Sequence, residues 1–340
     1  MKKKKVKIIA GALAVLLIIS ATYVGFAFFG GAFRVEGETF LYIDGDDNID
    51  SVYTKLAEQA KTKRLSEFKL MAGRTSYADN IRPGRYRIAP GLSIFKLFRQ
   101  LKNGAQTPLR LTIPSVRTKE KLAAYLGEKM MADSAEIALA MDDAAANREI
   151  GLDADNIICL FIPNTYEIYW TTPAEGIVKR MKKEYDAFWN QRSKKAANMG
   201  MTPSEVMTLA SIVDEETANN GEKPMVAGMY INRLNANMPL QADPTIKYAL
   251  GQFELKRIYH NMLSVNSPYN TYKNTGLPPG PIRIPTVAGI DAVLNHVRHN
   301  YMYMCAKEDF SGTHNFAVTY NEHLANARKY SEALERNGIK

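Results

Sequence analysis

The feature that most constrains this chain is an uncharged apolar run near its N-terminus. Residues 8–33 contain no charged side chain, and five lysines precede them within the first seven positions. A membrane-spanning helix needs about 20 apolar residues, whereas the apolar core of a cleaved signal peptide has about 7–15. No clean A-x-A cleavage site follows the run. We therefore predict an uncleaved single-pass anchor over residues 1–33, with a cleaved signal peptide as the alternative.

The distribution of charge supports the same interpretation. The chain has 44 Lys and Arg against 35 Asp and Glu, a formal charge of +9. Five of these cations are the N-terminal lysines, so the rest of the chain keeps a surplus of only four. The lysine cluster predicts a cytoplasmic N-terminus, with everything beyond the span on the other side of the membrane. The remaining surplus forms no basic stripe, so we predict no nucleic-acid partner.

A length of 340 residues exceeds one ordinary domain and predicts two packed cores. Residues 34–108 alternate strand-like and helix-like patterns in FLYID, NIDSVYTKLAEQA, GRYRI and IFKLFRQLKNG. Ser93 is placed to cap the last of these helices, and Gly104 to end it. Strand, turn and short helix are typical of small carbohydrate-binding modules of the LysM kind, but the same pattern also describes many unrelated modules. We therefore predict an α+β module over residues 34–108, with a LysM-like module as one interpretation of it.

Residues 109–340 predict a larger, mainly helical domain with short strands, and the fold class is therefore α+β. We divide it into a helical lead-in, residues 109–200, and a core, residues 201–340. Thr-Pro-x-Glu segments at 172–175 and 202–205 have the composition of helix starts with a capping box. Beyond residue 235 the chain is rich in Pro, Gly, Asn and Tyr, which is typical of loops that carry binding groups. The C-terminal part is predicted to contain two strands, YMYMCAKED and HNFAVT. It is predicted to end in a helix, YNEHLANARKYSEALERN.

The helix predicted to begin after residue 202 ends in three consecutive acids, Asp214, Glu215 and Glu216. At about 100° per residue, the apolar side chains of this helix share one arc. Glu215 lies opposite that arc and is predicted to be a solvated surface charge, while Asp214 lies on the margin and stays undecided. Glu216 falls inside the arc, at about 280° from Val206.

An acid inside an apolar arc has a raised pKa, because low-polarity surroundings disfavour its charged form. A carboxylic acid that is still protonated near neutral pH can give its proton to a leaving oxygen. The alternative is a purely structural role for Glu216, paired with a buried arginine such as Arg233. Helix geometry alone leaves both interpretations open.

Other kinds of chemistry have less support in the sequence. The five histidines show no HExxH or other metal-ligand spacing, so we predict no metal and no cofactor. His314 and His323 are interpreted as structural or substrate-facing. No GxSxG motif or phosphate-binding loop occurs. Cys159 and Cys305 lie in apolar contexts and are predicted either to pair or to remain buried free thiols.

Four ordered segments carry a resemblance to a known family: ASIVDEET, VAGMYINRLNANMPLQADPTIKYALG, SPYNTYKNTGLPPGPI and GTHNFAVTYNEH. With RPGRYRIAPG and LFIPNTYEIYW upstream, they resemble the successive motifs of the MltG/YceG-like endolytic murein transglycosylases across nearly the whole chain behind the anchor. Two departures occur. Positions 158–159 hold Ile-Cys where the family usually has Glu-Gly, and positions 214–215 hold Asp-Glu where Glu-Lys is common. The position that matches the family's catalytic glutamate is Glu216.

The resemblance implies a single-pass inner-membrane enzyme whose catalytic domain is periplasmic. Such enzymes cleave the MurNAc-β-1,4-GlcNAc bond of nascent peptidoglycan without water and leave a 1,6-anhydroMurNAc end. They terminate glycan elongation, which implies wall synthases such as penicillin-binding proteins as partners. Glu216 would protonate the glycosidic oxygen and then accept the proton of the sugar's C6 hydroxyl. The residues expected to position the sugar are Gln241, Asp243, Tyr269, Asn270 and Asn232.

Alternative functions stay open beside this one. A hydrolase would use Glu216 together with Asp243, the second carboxylate activating water. A non-catalytic wall-binding or divisome scaffold would need only the anchor and the LysM-like module. An anchored protease or nuclease is disfavoured by the missing nucleophile and metal motifs. The Leu-Pro-Pro-Gly loop at 277–280 is expected to shape the cleft in either enzyme.

Overall fold

The computed structural model of the protein describes residues 2–147 and 150–338. The chain forms two compact units, one comprising residues 1–111 and 166–172 and the other residues 112–165 and 173–340. The predicted module boundary at residue 108 lies close to the first crossing between the units. The return of residues 166–172 to the first unit was not predicted.

The chain begins with a long helix, α1 (Lys2–Phe29). Its segment Lys4–Phe29 is long and apolar enough to cross a membrane, with a mean hydropathy of 2.3, and it is the one such helix in the described part of the chain. The apolar run continues to residue 33, but two glycines follow the helix, and glycine disfavours helical backbone. Ala32 and Phe33 instead join the core of the first unit.

The first unit is built on an antiparallel pair of strands, β1 (Thr39–Ile43) and β2 (Gly84–Ile88). Three helices cover it: α2 (Ile49–Glu58), α3 (Leu65–Gly73) and α4 (Ile94–Asn103). Every predicted strand and helix of this region is confirmed. The sequence missed α3, which is nine residues long and has no side-chain cap to announce its start. The LysM-like character of the unit stays a prediction.

Two of the predicted helix ends in this unit are confirmed in detail. The Ser93 hydroxyl accepts a hydrogen bond from the backbone N–H of Lys96, which satisfies one of the free donors at the start of α4. At the other end Gly104 adopts a left-handed backbone with φ of 67°, which glycine tolerates without steric cost. The core between helices and strands is fully buried and contains Leu41, Ile43, Val52, Leu56, Phe68, Tyr86, Leu97 and Leu101.

Residues 166–172 belong to the first unit because of one short sheet and its neighbours. Strand β3 (Leu109–Thr112) pairs with β4 (Thr165–Ile168). Just beyond β4, the Gln106 side-chain amide donates to the Thr171 hydroxyl at 3.0 Å. The Trp170 ring packs edge-on against Tyr42, with ring centroids 5.0 Å apart. The Gln106–Thr171 and Tyr42–Trp170 contacts join residues 65 and 128 positions apart, which is why sequence pattern alone did not predict them.

The second unit is mainly helical, and the predicted α+β class of the chain is confirmed. Its helices are α5 (Lys119–Lys129), α6 (Ser134–Ala146), α7 (Ala174–Asn190), α8 (Ser193–Asn198), α9 (Pro203–Glu216), α10 (Lys223–Asn235), α11 (Asp243–Leu250), α12 (Val287–Leu294) and α13 (Tyr320–Arg336). An antiparallel hairpin, β5 (Tyr303–Ala306) and β6 (His314–Ala317), precedes α13. The two predicted C-terminal strands and the closing helix are therefore confirmed.

The two predicted capping boxes have opposite outcomes. At 202–205 the box forms, because the Thr202 hydroxyl accepts from the Glu205 N–H while the Glu205 carboxylate accepts from the Thr202 N–H at 2.7 Å. At 172–175 the prediction is wrong. Helix α7 begins at Ala174 with Pro173 as its cap, and no side chain caps it. Thr172 instead ends a turn, its N–H donating to the Tyr169 carbonyl at 3.0 Å.

The two cysteines lie in different surroundings. Cys159 is buried in a short 3-10 turn, and Cys305 is partly buried on β5. Both are free thiols in the structure, which favours the second of the two predicted alternatives. Burial raises the pKa of the Cys159 thiol far above its usual range, so the group behaves as a small apolar side chain.

Candidate active site

Three consecutive acids end helix α9, and the structure gives each a different environment. The helix is buried from Val206 to Val213, because α10, α11 and α12 pack around it. The residues of the predicted apolar arc are buried, but the other sides of the helix are buried as well, including Thr208 and Ser211. Beyond Val213, the carboxyl groups of Asp214, Glu215 and Glu216 meet three different sets of neighbours.

Asp214 is held by structural contacts. Its carboxylate forms an ion pair with Lys223 at 2.7 Å, and the two side chains are 2% and 6% exposed. It also accepts hydrogen bonds from the N–H (2.6 Å) and the hydroxyl (3.0 Å) of Thr286, the residue that caps α12. A Cβ at Gly289 would overlap this carboxylate, so the first turn of α12 needs glycine there. Asp214, undecided from sequence, thus ties α9 to α10 and α12.

The prediction that Glu215 is a solvated surface charge is wrong. Its side chain is only 12% exposed, and two arginines hold it. Arg117 Nη2 donates to both carboxylate oxygens at 2.9 and 2.8 Å, and Arg283 Nη1 donates to one of them at 2.7 Å. A helical wheel describes only the relative directions of side chains within one helix. It therefore cannot show that Arg117 and Arg283, 98 and 68 residues away, cover the side of α9 on which Glu215 lies.

Glu216 is the acid that faces a cavity. The cavity has a volume of about 350 Å³ and lies against the C-terminal end of α9. No described cation forms an ion pair with the Glu216 carboxyl group; its bonded partner is the Tyr230 hydroxyl, which donates to Oε1 at 2.8 Å. Burial raises the pKa of Tyr230 well above its usual value, so this phenol stays protonated and remains a donor. The second carboxyl oxygen of Glu216 has no such partner in the described part of the chain.

The electrostatic surroundings of Glu216 favour its protonated form. Burial raises the pKa of Glu216 to about 7, from an ordinary value of 4.5. The hydrogen bond from Tyr230 lowers the pKa, while the negative charge of Asp243 raises it. The fields of His314 and Lys247 lower it. A carboxylic acid poised near neutral pH can donate a proton and, once ionised, take one back.

The structural alternative for Glu216 was a buried partner arginine, and Arg233 does not take that role. The Arg233 side chain is buried, yet its guanidinium donates to backbone carbonyls at Met302 (2.6 Å) and Leu240 (2.8 Å). A third bond reaches the Gln241 side-chain oxygen at 3.3 Å. Arg233 therefore braces the loop before α11 against β5 and leaves the Glu216 carboxyl unpaired.

Two of the predicted sugar-binding residues share the cavity with Glu216. Gln241 and Asp243 both line it. Gln241 has a left-handed backbone with φ of 51°, an uncommon conformation for a residue other than glycine and one often found at functional sites. The Asp243 carboxylate accepts a hydrogen bond from the Tyr272 hydroxyl at 2.6 Å. The cavity therefore contains two carboxyl groups, one bonded to each of two tyrosines.

The other three predicted sugar-binding residues do not line this cavity. Asn270 is fully buried, and its amide donates to the carbonyls of Leu263 (2.9 Å) and Val265 (2.7 Å), which fixes the loop before it. The Asn232 amide donates to backbone carbonyls of the segment 299–301. The Tyr269 hydroxyl donates to Asp155 at 3.2 Å. Their roles toward a substrate stay predictions.

The sequence missed several side chains that line the cavity, among them Tyr230, Tyr272 and the pairing of His314. The His314 ring lies with Nδ1 3.0 Å from the carboxylate of Glu222, a residue only 8% exposed. Glu222 also accepts from the His314 backbone N–H at 2.6 Å. These two residues are 92 positions apart, and no local pattern links them. The structure thus places an oriented histidine beside the candidate acid.

The loop at 277–280 has a different place from the one expected. Leu277, Pro278 and Pro279 line a second cavity of about 580 Å³ around the start of α9, at the opposite end of the helix from Glu216. Gly280 packs against the backbone carbonyl of Asp155 so closely that a Cβ would overlap it. In the described part of the chain this loop therefore shapes a different hollow from the one that Glu216 faces.

The fold and the site together define an α+β protein in which Glu216, at the end of a buried helix, is desolvated and forms no ion pair within the described part of the chain. The sequence model of the YceG-like family matches residues 41–329, most of the chain. The chain therefore belongs to the YceG-like family, and the resemblance drawn from its motifs is confirmed.

Known proteins similar to this chain point to one activity and one fold. A Bacillus subtilis (strain 168) protein named endolytic murein transglycosylase is 26% identical over 269 residues, 74% of each chain. A Streptococcus pneumoniae (strain D39) protein of the same name is 26% identical over 289 residues, and the matched region spans about half of that relative, 52%. The 2.6 Å crystal structure of a yceG-like protein from Listeria monocytogenes matches 86% of this chain and 99% of its own. Its TM-score is 0.57 and its identity 26%.

Proposed function

We propose that this protein is a membrane-anchored endolytic murein transglycosylase, with Glu216 as its catalytic acid and base. The observation that carries the proposal is the place of Glu216: it faces the cavity, its pKa is raised to about 7, and no cation of the described residues forms an ion pair with it. Family membership and the names of the curated relatives give the reaction class. The substrate is the MurNAc-β-1,4-GlcNAc bond within a nascent glycan strand.

In the first step the protonated Glu216 gives its proton to the oxygen of the glycosidic bond. The bond from that oxygen to C1 of MurNAc then breaks, and GlcNAc leaves with a 4-hydroxyl group. The substrate's own 2-acetamido oxygen stabilises the positive charge that develops at C1. Tyr230 holds one oxygen of Glu216 by its hydrogen bond, so the other oxygen is the one directed to the substrate. A fixed donor of this kind contributes about 10²–10⁴-fold to the rate.

In the second step Glu216, now a carboxylate, takes the proton of the C6 hydroxyl of MurNAc. The C6 oxygen attacks C1 and closes the 1,6-anhydro ring, so the proton returns to Glu216 and no water is consumed. Because the nucleophile belongs to the same sugar ring, the reaction gains from proximity and needs no second catalytic carboxylate. Gln241, Asp243 and the His314 ring are the cavity groups suited to hydrogen-bond sugar hydroxyls and amides.

The N-terminal helix supplies the location in this proposal. Lys4–Phe29 crosses the inner membrane once, with the lysine cluster in the cytoplasm and the chain that follows the helix on the outer, periplasmic side. Cleaving nascent strands there ends their elongation, which places the enzyme beside wall synthases of the penicillin-binding kind. Tyr269, Asn270 and Asn232 are proposed to support the substrate-binding loops.

Product analysis tests the reaction directly. Full-length protein in detergent is incubated with uncrosslinked glycan strands, and the new strand ends are identified by mass spectrometry. The proposal expects 1,6-anhydroMurNAc ends, which are one water molecule (about 18 Da) lighter than reducing MurNAc ends. Reducing ends alone would contradict it.

A second candidate, hydrolysis, is favoured by one observation: Asp243 lines the same cavity as Glu216. In that mechanism Asp243 activates a water molecule and becomes indispensable. The Asp243→Asn variant separates the two candidates. The transglycosylase keeps forming anhydro ends in this variant, at a reduced rate, whereas the hydrolase loses its reducing ends altogether.

A further inference from the structure

The end of α1 is fixed against the rest of the first unit by several specific contacts. The Phe29 ring packs against Phe95 of α4 with ring centroids 5.0 Å apart. On another side of the helix, the Arg64 guanidinium lies 4.9 Å from the centre of the Phe26 ring. Immediately after the helix, the Ala32 N–H donates to the Leu92 carbonyl at 2.9 Å. The side of the unit formed by α3 and α4 therefore lies level with the last turn of α1.

A cavity of about 420 Å³ opens on that side, between α3 and α4. One part of its wall is apolar and consists of Phe28, Leu70, Met71, Phe95 and Phe98. The other part is cationic and consists of Arg74, Arg99 and Lys102. We call this hollow the basic-apolar cavity.

The charges of the basic-apolar cavity are unbalanced. Arg74, Arg99 and Lys102 are exposed, no acid lines the cavity, and none of the three forms an ion pair with a carboxylate in the described ranges 2–147 and 150–338. On α4, Phe95, Arg99 and Lys102 are spaced by four and three residues, so an aromatic ring and two cations share one stripe. Leu70 adds apolar surface that is 46% exposed. The surface therefore matches a ligand with an anionic head and an apolar tail.

The length of α1 gives the depth at which this cavity lies. The segment Lys4–Phe29 has 26 residues and is about 39 Å long at about 1.5 Å per residue. The hydrocarbon core of a bilayer is about 30 Å thick, and about 40–45 Å with its headgroups. If the lysines lie at one surface, Phe28 reaches the headgroup layer of the other. The basic-apolar cavity then faces lipid headgroups.

We propose that the basic-apolar cavity binds an anionic phospholipid of the outer leaflet. Arg99 and Lys102 bind the phosphate, and the first part of an acyl chain lies against Phe28, Phe95 and Leu70. The bound lipid holds the first unit against the bilayer surface. This inference rests on the membrane anchor in the proposed function but not on the proposed catalysis.

Native mass spectrometry of the full chain tests the proposal. The protein is released from detergent micelles that contain equal amounts of phosphatidylglycerol and phosphatidylcholine, and the lipids retained on it are counted. Phosphatidylglycerol should be retained preferentially. Near a membrane each cation strengthens the binding of anionic lipid by about fivefold, so R99Q/K102Q should weaken phosphatidylglycerol retention by about 25-fold.

A matched control uses two cations that also lie close to the end of α1 but outside the cavity. Thr62 pairs with Phe33, and Lys61 and Lys63 flank it with exposed side chains. K61Q/K63Q should retain phosphatidylglycerol as the unmodified chain does. An equal loss in both double variants would overturn the proposal in favour of diffuse surface attraction. Equal retention of the two lipids by the unmodified chain would overturn it outright.

Two more arms separate the ligand's head from its tail. Leu70→Ser should lower phosphatidylglycerol retention several-fold, because it removes apolar contact and no charge. Inorganic phosphate at millimolar concentration should not displace the lipid; full displacement would identify a simple anion site and contradict the proposal. The R99Q/K102Q variant should cleave glycan strands in detergent at the unmodified rate. A chain that stays in the aqueous phase without detergent would instead refute the anchor.

Discussion

The last turn of α9 carries carboxyl groups in two kinds of environment. On what we call the ion-paired side, Asp214 and Glu215 contact Lys223 and two arginines at 2.7–2.9 Å. On the cavity side, Glu216 is met by a neutral tyrosine hydroxyl at 2.8 Å. The three residues are consecutive, and burial raises the pKa of Glu216, which forms no ion pair with any described cation, to about 7.

This difference explains what each side can do. Asp214 and Glu215 are each bonded to cations from other segments, so they serve as fixed joints between α9 and its neighbours. A desolvated carboxyl that has only a phenol as partner can exist in either form near neutral pH, which proton transfer requires. The ion pairs of Asp214 and Glu215 hold the helix end in place. They therefore support the position of Glu216 without sharing its chemistry.

The largest expected effect is on strand cleavage and contrasts two adjacent glutamates. Glu216→Gln should lower kcat/KM by about 10²–10⁴-fold, because glutamine cannot transfer the proton. Glu215→Gln makes the same chemical change one residue earlier and should stay within a few-fold of the unmodified rate at low temperature. Rates of anhydro-end formation on glycan strands measure both. A larger loss for Glu215→Gln than for Glu216→Gln would reverse the assignment of the two sides.

The next effect is on stability and concerns the buried ion pair between Asp214 and Lys223. Lys223→Met leaves the Asp214 carboxylate buried without its cation and should lower the free energy of unfolding by about 3–5 kcal/mol. Urea unfolding of the full chain in detergent measures it. Asp214→Asn added to Lys223→Met should recover part of the loss, because the buried charge is then gone. A cost below about 1 kcal/mol in the single variant would show that water reaches this pair.

Most of the secondary structure could be predicted from sequence, because residues close to each helix end determine where the helix begins and ends. The cap at Ser93, the left-handed Gly104 and the capping box at Thr202 all act within one turn of helix, and each is present as predicted. The two failures have different causes. The predicted box at 172–175 fails locally, because Thr172 ends a turn in which its N–H donates to the Tyr169 carbonyl. The missed return of residues 166–172 depends on contacts made by residues distant in sequence. Local composition does not encode those contacts.

The candidate site was predictable only in part, for a related physical reason. Helix period placed Glu216 in the apolar arc, and the resemblance to the family selected the same residue. Helical periodicity alone wrongly predicted Glu215 to be a solvated surface charge, because its two arginine partners come from other segments. The Tyr230 donor lies 14 residues beyond Glu216, on the next helix, and His314 lies on a distant hairpin. Which groups meet around the acid is decided by the packing of helices, and a single sequence does not show it.

A smaller effect is expected in how stability depends on pH. The pKa of Glu216 is about 7 when folded and near 4.5 when unfolded, so the folded state keeps a proton that the unfolded state has lost. The free energy of unfolding therefore falls as pH rises from 4.5 to 7, and this loss of stability reaches its full size above pH 7. Glu216→Gln removes this loss and should stabilise the protein by about 3 kcal/mol at pH 8, since each pH unit between 4.5 and about 7 contributes about 1.4 kcal/mol. At pH 5 the gain should be much smaller. Thermal unfolding at both pH values measures it, and an equal gain at both would contradict the raised pKa.

The smallest expected effect concerns the hydrogen bond on the cavity side. Tyr230→Phe removes the donor that stabilises the Glu216 carboxylate, so the pKa of that carboxyl should rise further. A hydrogen bond to a charged group contributes about 1.5–3 kcal/mol, which corresponds to an upward shift of about one to two pH units. Because the acid must be protonated to act, the falling limb of the rate against pH should move up by that amount. Tyr272→Phe is the matched control, since that hydroxyl bonds to Asp243 instead. A limb that stays in place in Tyr230→Phe, or moves equally in both variants, would mean that Tyr230 positions Glu216 without setting its proton affinity.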